Sequence, residues 1–248
     1  MTKKHISKSE IINNEKKHFS SQDYIWHWSI TGAGQKRYEN RFFNLKRMCN
    51  SSKSSSILEI GCGDGEFTKR LLSIESTIYA SDINFDVLQR AKDSLKKFES
   101  ENLCFKMDDA ENLSFKDHSL NIVCGISILH HLDYKKGLKE AFRVLKNGGE
   151  IFFTEPNLLN PITITAFNIP WLRKKLGASP NETALIRWEV ERYLRDIGFK
   201  EIKVLNYDFL FPGTPDSMID IIDNIGSVLA KIPIIKEISG SLLIYAKK

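Results

Sequence analysis

From Ile57 onward the chain alternates between short apolar runs and stripes in which apolar residues return every three or four positions. Ile57, Leu58 and Ile60 read as a strand covered on both faces, and Phe67, Leu71 and Leu72 return at helical spacing after a glycine-rich gap. Thr77 to Ile83 predicts a second strand. Phe85 to Phe98 predicts a helix whose inward face carries Val87, Leu88, Ala91, Leu95 and Phe98. Leu103 to Met107 and Ser119 to Cys124 predict the third and fourth strands, and Gly137 to Leu145 an amphipathic helix stopped by Lys146, Asn147, Gly148 and Gly149. A fifth strand then runs to Glu155, Pro156 and Asn157. Further on, Glu182 to Ile197 reads as a helix, Phe199 to Tyr207 as a strand, Met218 to Ala230 as an apolar helix and Leu242 to Ala246 as the last strand. Strands and helices in this order make an α/β fold.

Upstream of the first strand the pattern changes. Phe19, Tyr24, Trp26, Trp28, Tyr38, Phe42 and Phe43 crowd the first fifty residues, so that residues 1–50 read as a helical cap. Thr31, Gly32, Ala33 and Gly34 read as a flexible break, after which Tyr38, Arg41, Phe42, Leu45 and Met48 carry a helical stripe. The run from Ser51 to Ser56 is a linker into the core.

The glycine gap carries the first chemistry. Gly61, Gly63 and Gly65 put no bulky side chain between the backbone and a ligand, and the loop opens onto a helix N-terminus, where free N–H groups favour a carboxylate or phosphate. Dinucleotide-binding proteins use GxGxxG in the same setting, so the loop alone leaves a nicotinamide cofactor open. Asp82 ends the second strand twenty-one residues after Gly61, close to the interval at which an acid accepts ribose hydroxyls, and its charge would repel a 2′-phosphate. The plainer reading of Asp82 is the N-cap of the next helix.

Three runs together go further. The spacing GxGxG with Glu59 two residues before Gly61, the run MDDAENLSF from Met107, and EAFRVLKNGGEIFFTEPN from Glu140 to Asn157 resemble the class I S-adenosylmethionine-dependent methyltransferases. The resemblance implies a Rossmann-like fold in one domain, residues 1–248, with a seven-stranded, mostly parallel sheet, helices on both faces and an antiparallel last strand. It implies S-adenosylmethionine as cofactor, bound by Glu59, Gly61, Cys62, Gly63, Gly65, Asp82, Ile83, Asp109 and Ala110, with Asp108 the rival of Asp109 for adenine. Arg41 enters because an N-terminal lid in this superfamily commonly closes over cofactor and substrate, and Tyr24 enters for the same reason as a second candidate for catalysis. Within GISILHHL, His130 is the candidate base, since imidazole titrates near neutral pH; His131 is its rival, and packing of the following helix the plainer role of both. Leu120, Asn121 and Asn147 depart from the residues the family more often carries.

Composition narrows the alternatives. A formal charge of +5, spread along the chain, does not demand nucleic acid, and Arg173, Lys174 and Lys175 are too few to track its backbone. Four cysteines without a CxxC pair fit reduced thiols and a cytoplasmic address, and no metal site is implied. No apolar run approaches the roughly 20 residues of a membrane span. Residues 158–190 and 209–241 leave the common pattern and are read as insertions on the acceptor side. Their Ile, Leu, Phe and Pro content favours a small or lipid-like acceptor, possible contact with a membrane surface, and O- or N-methylation. Methylation of protein or RNA, and a non-catalytic cofactor-binding partner, are the alternatives.

Overall fold

The computed structural model describes residues 29–98, 101–169 and 183–248, together with Glu10, Asn13, Asn14, Lys17 and Trp171. A single sheet of seven strands organises it: β1 (Ser56–Ile60), β2 (Thr77–Asp82), β3 (Leu103–Met107), β4 (Leu120–Ile126), β5 (Leu145–Pro156), β6 (Lys200–Tyr207) and β7 (Ser241–Lys247), in the order β3-β2-β1-β4-β5-β7-β6. Neighbours are parallel except β7, which runs against both β5 and β6.

The period of two along β1 divides the interior into two cores. Leu58 and Ile60 pack with Val123, Ile151 and Phe153 beneath helices α4 (Tyr134–Val144) and α6 (Arg187–Asp196), through Leu138, Ala141, Val190 and Leu194. Ile57 faces the other way, with Ile122 and Phe152, onto Leu45 of α1 (Gly32–Met48) and onto Phe67 and Leu71 of α2 (Glu66–Leu71). Glu59 shares this second face by the same alternation. The chain leaves the sheet in opposite directions on either side of β1 and β4, and the crevice at their C-terminal ends is where open α/β sheets receive ligands.

Several boundaries differ from the sequence expectation. Thr31 to Gly34 is no break: the Thr31 hydroxyl accepts the Gly34 N–H at 2.9 Å as the N-cap of α1, and glycine at position 32 lets Asp216 and Ile219 approach. The second-strand helix, α3 (Phe85–Leu95), gives way to a 3₁₀ turn at Lys96, which leaves Phe98 43% exposed instead of inward. α4 starts early because Asp133 caps it. α6 starts late, at Arg187, because Leu185 first forms a bridge with Asn157. The second departure folds as α7 (Ile219–Leu229) and α8 (Pro233–Lys236), and the first begins as α5 (Pro161–Asn168).

Candidate active site

The loop after β1 turns through three left-handed glycines, Gly61, Gly63 and Gly65, with φ of +66°, +55° and +86°. A Cβ at Gly61 would come within 2.5 Å of Ile128, so backbone freedom and space both require glycine there. The loop is closed by Gly65 N–H donating to the Cys62 carbonyl at 3.0 Å and tied to β2 by Cys62 N–H donating to Ser81 at 2.9 Å. The Cys62 side chain packs with Ala80, Leu88 and Ala91, and burial pushes its thiol well above the usual range. Cys62 therefore offers the cleft its backbone rather than a nucleophile.

Glu59 forms the floor. It is 1% exposed and accepts the Thr68 hydroxyl at 2.6 Å. Burial pushes its carboxyl up to about 8; the Thr68 bond opposes this and the charge of Asp82 adds to it. Asp82 stands behind the loop, accepting Gly63 N–H at 3.2 Å and Asn84 N–H at 2.9 Å, and burial holds it at about 6. The N-cap of α3 is Asn84, not Asp82.

Beyond Asp82 and Ile83, the Asp108 N–H donates to the Asp82 carbonyl at 3.1 Å and brings the β3 turn alongside. The two rival acids there differ. Both Asp108 oxygens accept from Ser114, whereas Asp109 accepts the Glu111 N–H at 2.9 Å and leads into Ala110.

At the end of β4, Ser127 adopts a left-handed φ of +55° and the chain turns sharply towards β5. Glu155 holds this turn: it accepts Ile128 N–H at 3.0 Å, Leu129 N–H at 2.9 Å and His130 N–H at 3.4 Å, and meets His130 Nδ1 at 2.7 Å. His130 is 3% exposed. A carboxylate on Nδ1 orients the ring and favours the tautomer with its proton there, which makes Nε2 the basic nitrogen. Glu155 thus has a hydrogen-bonding role at this turn. His131 stacks at 4.0 Å on His130.

The fourth wall comes from the cap. Ser29 and Tyr38 line the cleft together with Glu59, Gly61, Gly63 and Ile126. Gln35 Nε2 donates to the Ser29 carbonyl at 2.5 Å and to Glu66 at 3.1 Å, and Arg70 donates to Gln35 at 2.6 Å, fastening α1 to α2. Arg41 is buried, donates to the Tyr207 hydroxyl at 3.3 Å and lies over the Tyr38 ring, one side chain away from the cleft. Tyr24 lies outside the described residues. Ser29, Gln35 and Tyr38 were not among the expected site residues. Tyr38 sits on the apolar stripe of α1, and its hydroxyl was the one sign that it does more than pack. Among the described residues, no group of three or more His, Cys, Asp or Glu side chains gathers as a metal site, and no helix is long and apolar enough to cross a membrane.

Comparison with known proteins agrees with this geometry. A family profile described as a methyltransferase domain matches residues 58–153. A demethylmenaquinone methyltransferase of Geobacillus sp. is 27% identical over 185 residues, covering 66% of this chain and 79% of the relative. A ubiquinone/menaquinone biosynthesis C-methyltransferase of Zymomonas mobilis is 28% identical over 151 residues, 60% of each protein. In fold, the chain is similar to phosphoethanolamine N-methyltransferase 2 of Haemonchus contortus bound to S-adenosylmethionine, with a TM-score of 0.65 at 18% identity over 98% of this chain and 57% of that one. It is also similar to a methyltransferase of Thermotoga maritima, with a TM-score of 0.60 at 18% identity over 86% and 89% of the two chains. With its glycine loop, strand order and strand-end acids in place, residues 58–153 are a methyltransferase domain, and the chain has the fold of the S-adenosylmethionine-dependent methyltransferases it resembles.

Proposed function

We propose that this methyltransferase acts on a small apolar acceptor, quinone-like or lipid-linked, with His130 as the base that takes the acceptor's proton. The observation that carries the reading is the His130–Glu155 contact at 2.7 Å, a buried imidazole oriented by a carboxylate at the C-terminal edge of the sheet. Removal of a proton by His130 serves transfer to oxygen or nitrogen, and equally to a ring carbon activated by a neighbouring hydroxyl. The relatives that act in quinone biosynthesis favour the last.

The cleft fits the cofactor. The backbone of Gly61, Cys62, Gly63 and Gly65 is bare where a Cβ at Gly61 would collide with Ile128. In our reading Asp82 accepts the ribose hydroxyls, Ile83 packs on the adenine, Asp109 and the Ala110 backbone read its edge, and Glu59 faces the ammonium. Engagement of Asp108 by Ser114 supports Asp109 for the adenine. When bound, the cofactor supplies a methyl group already activated on a sulfonium, which leaves the protein to align the acceptor, exclude water and move one proton.

We take residues 1–248 as one domain, with 1–50 as its cap and 158–190 and 209–241 on the acceptor side. The outer face of α7 supports an apolar acceptor and contact with a membrane surface. Asp223 of that helix accepts from Asn40 at 2.9 Å and lies 4.0 Å from Lys36, so it turns towards α1, while Asp220 stays exposed. Ile221, Ile225 and Val228 turn outwards and are all more than half exposed, followed by the exposed Lys231.

Incubating the protein with methyl-labelled cofactor and fractionated cell extract tests the proposal. Label in the organic-soluble or small-molecule fraction is expected. Label confined to RNA or protein refutes it.

A further inference from the structure

Tyr38 is held in the cleft wall by two cations. The Arg41 guanidinium lies 5.4 Å from its ring centroid and the Arg70 guanidinium 5.3 Å, while Phe67 packs beside it at 6.5 Å. Such contacts fix a ring in place. Arg70 is itself pinned by Gln35 at 2.6 Å and by Glu66, whose carbonyl accepts at 2.7 Å and whose carboxylate pairs with it at 3.4 Å. With its faces covered, Tyr38 has its hydroxyl left to offer, and among the described residues that hydroxyl makes no hydrogen bond. A partly buried hydroxyl in a lined cleft without a partner calls for one. Burial holds the phenol above its ordinary range, so it remains an O–H donor at neutral pH.

Charge says what kind of partner fits. Arg41 is 6% exposed, and its Nε donates only to the Tyr207 hydroxyl. Among the described residues no carboxylate forms an ion pair with it, because the nearby Asp208 is bound to Arg37 at 2.6 Å. A buried cation lacking a direct counter-ion favours an anion close by. Glu59, Asp64 and Glu66, which line the same cleft, favour the opposite sign. An O–H donor backed by the Arg41 cation and a set of acids therefore face one space, and an α-amino acid carries the complement of both at adjacent positions.

Resting on the cofactor reading above, we propose that the Tyr38 hydroxyl binds the carboxylate of the amino-acid end of S-adenosylmethionine, with Arg41 as the charge that strengthens the bond. Tyr38 is thus a cofactor-binding residue supplied by the cap, and cap and loop together measure the amino-acid end, not the nucleoside alone.

The test is a cycle of one substitution against one ligand change. Calorimetry compares S-adenosylmethionine with its decarboxylated form, which keeps the ammonium, sulfonium and nucleoside, on the wild-type chain and on Tyr38→Phe. The wild type is expected to prefer the carboxylated ligand about tenfold or more, as for a hydrogen bond to a charged group. Tyr38→Phe, whose ring keeps the flanking cations, is expected to lose most of that preference. A preference retained in Tyr38→Phe overturns the proposal, and so does a wild type that does not discriminate. Because the ratio is measured within each protein, a general loss of folding in the variant does not imitate the result. Failure of the wild type to bind either ligand would instead overturn the cofactor reading beneath it.

Discussion

The polar crevice and the apolar segments that follow β5 and β6 are built in different ways. On the β1–β2–β3 side each strand-end carboxylate is already engaged with backbone N–H groups or hydroxyls: Asp82 with Gly63 and Asn84, Asp109 with Glu111, Glu59 with Thr68. On the side of α5, α7 and α8, apolar side chains face outwards, with Ile162, Ile221, Ile225 and Ile234 all more than half exposed. The first arrangement holds its acceptors rigidly before a ligand arrives, which suits a cofactor of constant shape. The second presents area without direction, which suits an acceptor recognised by its apolar bulk. His130 is fixed by Glu155 of β5 and accepts the Thr183 N–H on its carbonyl at 3.1 Å.

Gly61→Ala should break the polar side outright. The added Cβ meets Ile128 on a backbone at φ +66°, a strain that should cost about 1–3 kcal/mol of stability. Affinity for the demethylated cofactor should fall more than about 100-fold. Thermal denaturation and calorimetry read the two effects, and retained affinity would mean that the loop is not the cradle. His130→Ala should lower turnover by roughly 100-fold while cofactor affinity stays within about twofold. Equal loss of both would return His130 to packing the turn.

A pH series sharpens the same contrast. Because the Glu59 carboxyl titrates at about 8, it holds its proton in the empty cleft near pH 6 and must release it to meet an ammonium. Affinity for S-adenosylmethionine should therefore rise, by roughly 50-fold, from pH 6 to 8 and level off above that. Its sign in folding is the reverse. A carboxyl raised from 4.5 to about 8 gives the folded chain more bound protons than the unfolded chain between those values, so stability falls as pH rises through that window. Glu59→Gln should flatten both curves, and an unchanged binding curve would assign the pH dependence elsewhere.

The smallest effects are expected on the apolar side. Replacing Ile221 and Ile225 with serine should change stability by less than about 0.5 kcal/mol, since both point outwards. Co-sedimentation with anionic lipid vesicles should nevertheless drop several-fold. Unaltered sedimentation would separate the apolar face from any lipid surface.

How much of this was legible beforehand depended on whether a residue's task is local. The glycine loop, Asp82 at its strand end and the strands from Ser56 to Pro156 could be read because hydrogen bonding along one element and the demand for positive φ act within a few residues. Where a long-range contact decided, the pattern misled. Gly32 read as part of a flexible break, yet it is a helical position kept small for Asp216, some 180 residues later. Phe98 kept the helical spacing of Val87 and Leu95 but fell beyond the last full turn, on the outside. Asp109 was set before its rival Asp108 by resemblance alone, and that Ser114 engages Asp108 could be seen only in the folded chain.

The sequence by itself determined the alternation of strands and helices, the loop that only glycine can make and the acids that end the strands, since each follows from the steric limits and periodicity of the local backbone. Tertiary structure alone decided which groups face one another. It brought Tyr38 from the cap between Arg41 and Arg70, joined Glu155 to His130 across β4 and β5, and turned the isoleucines of α7 outwards by giving Asp223 to α1. Such pairings depend on the order of strands in the sheet and on the path of the chain over it. No spacing along the chain encodes them, because they join residues whose only relation is position in the folded molecule.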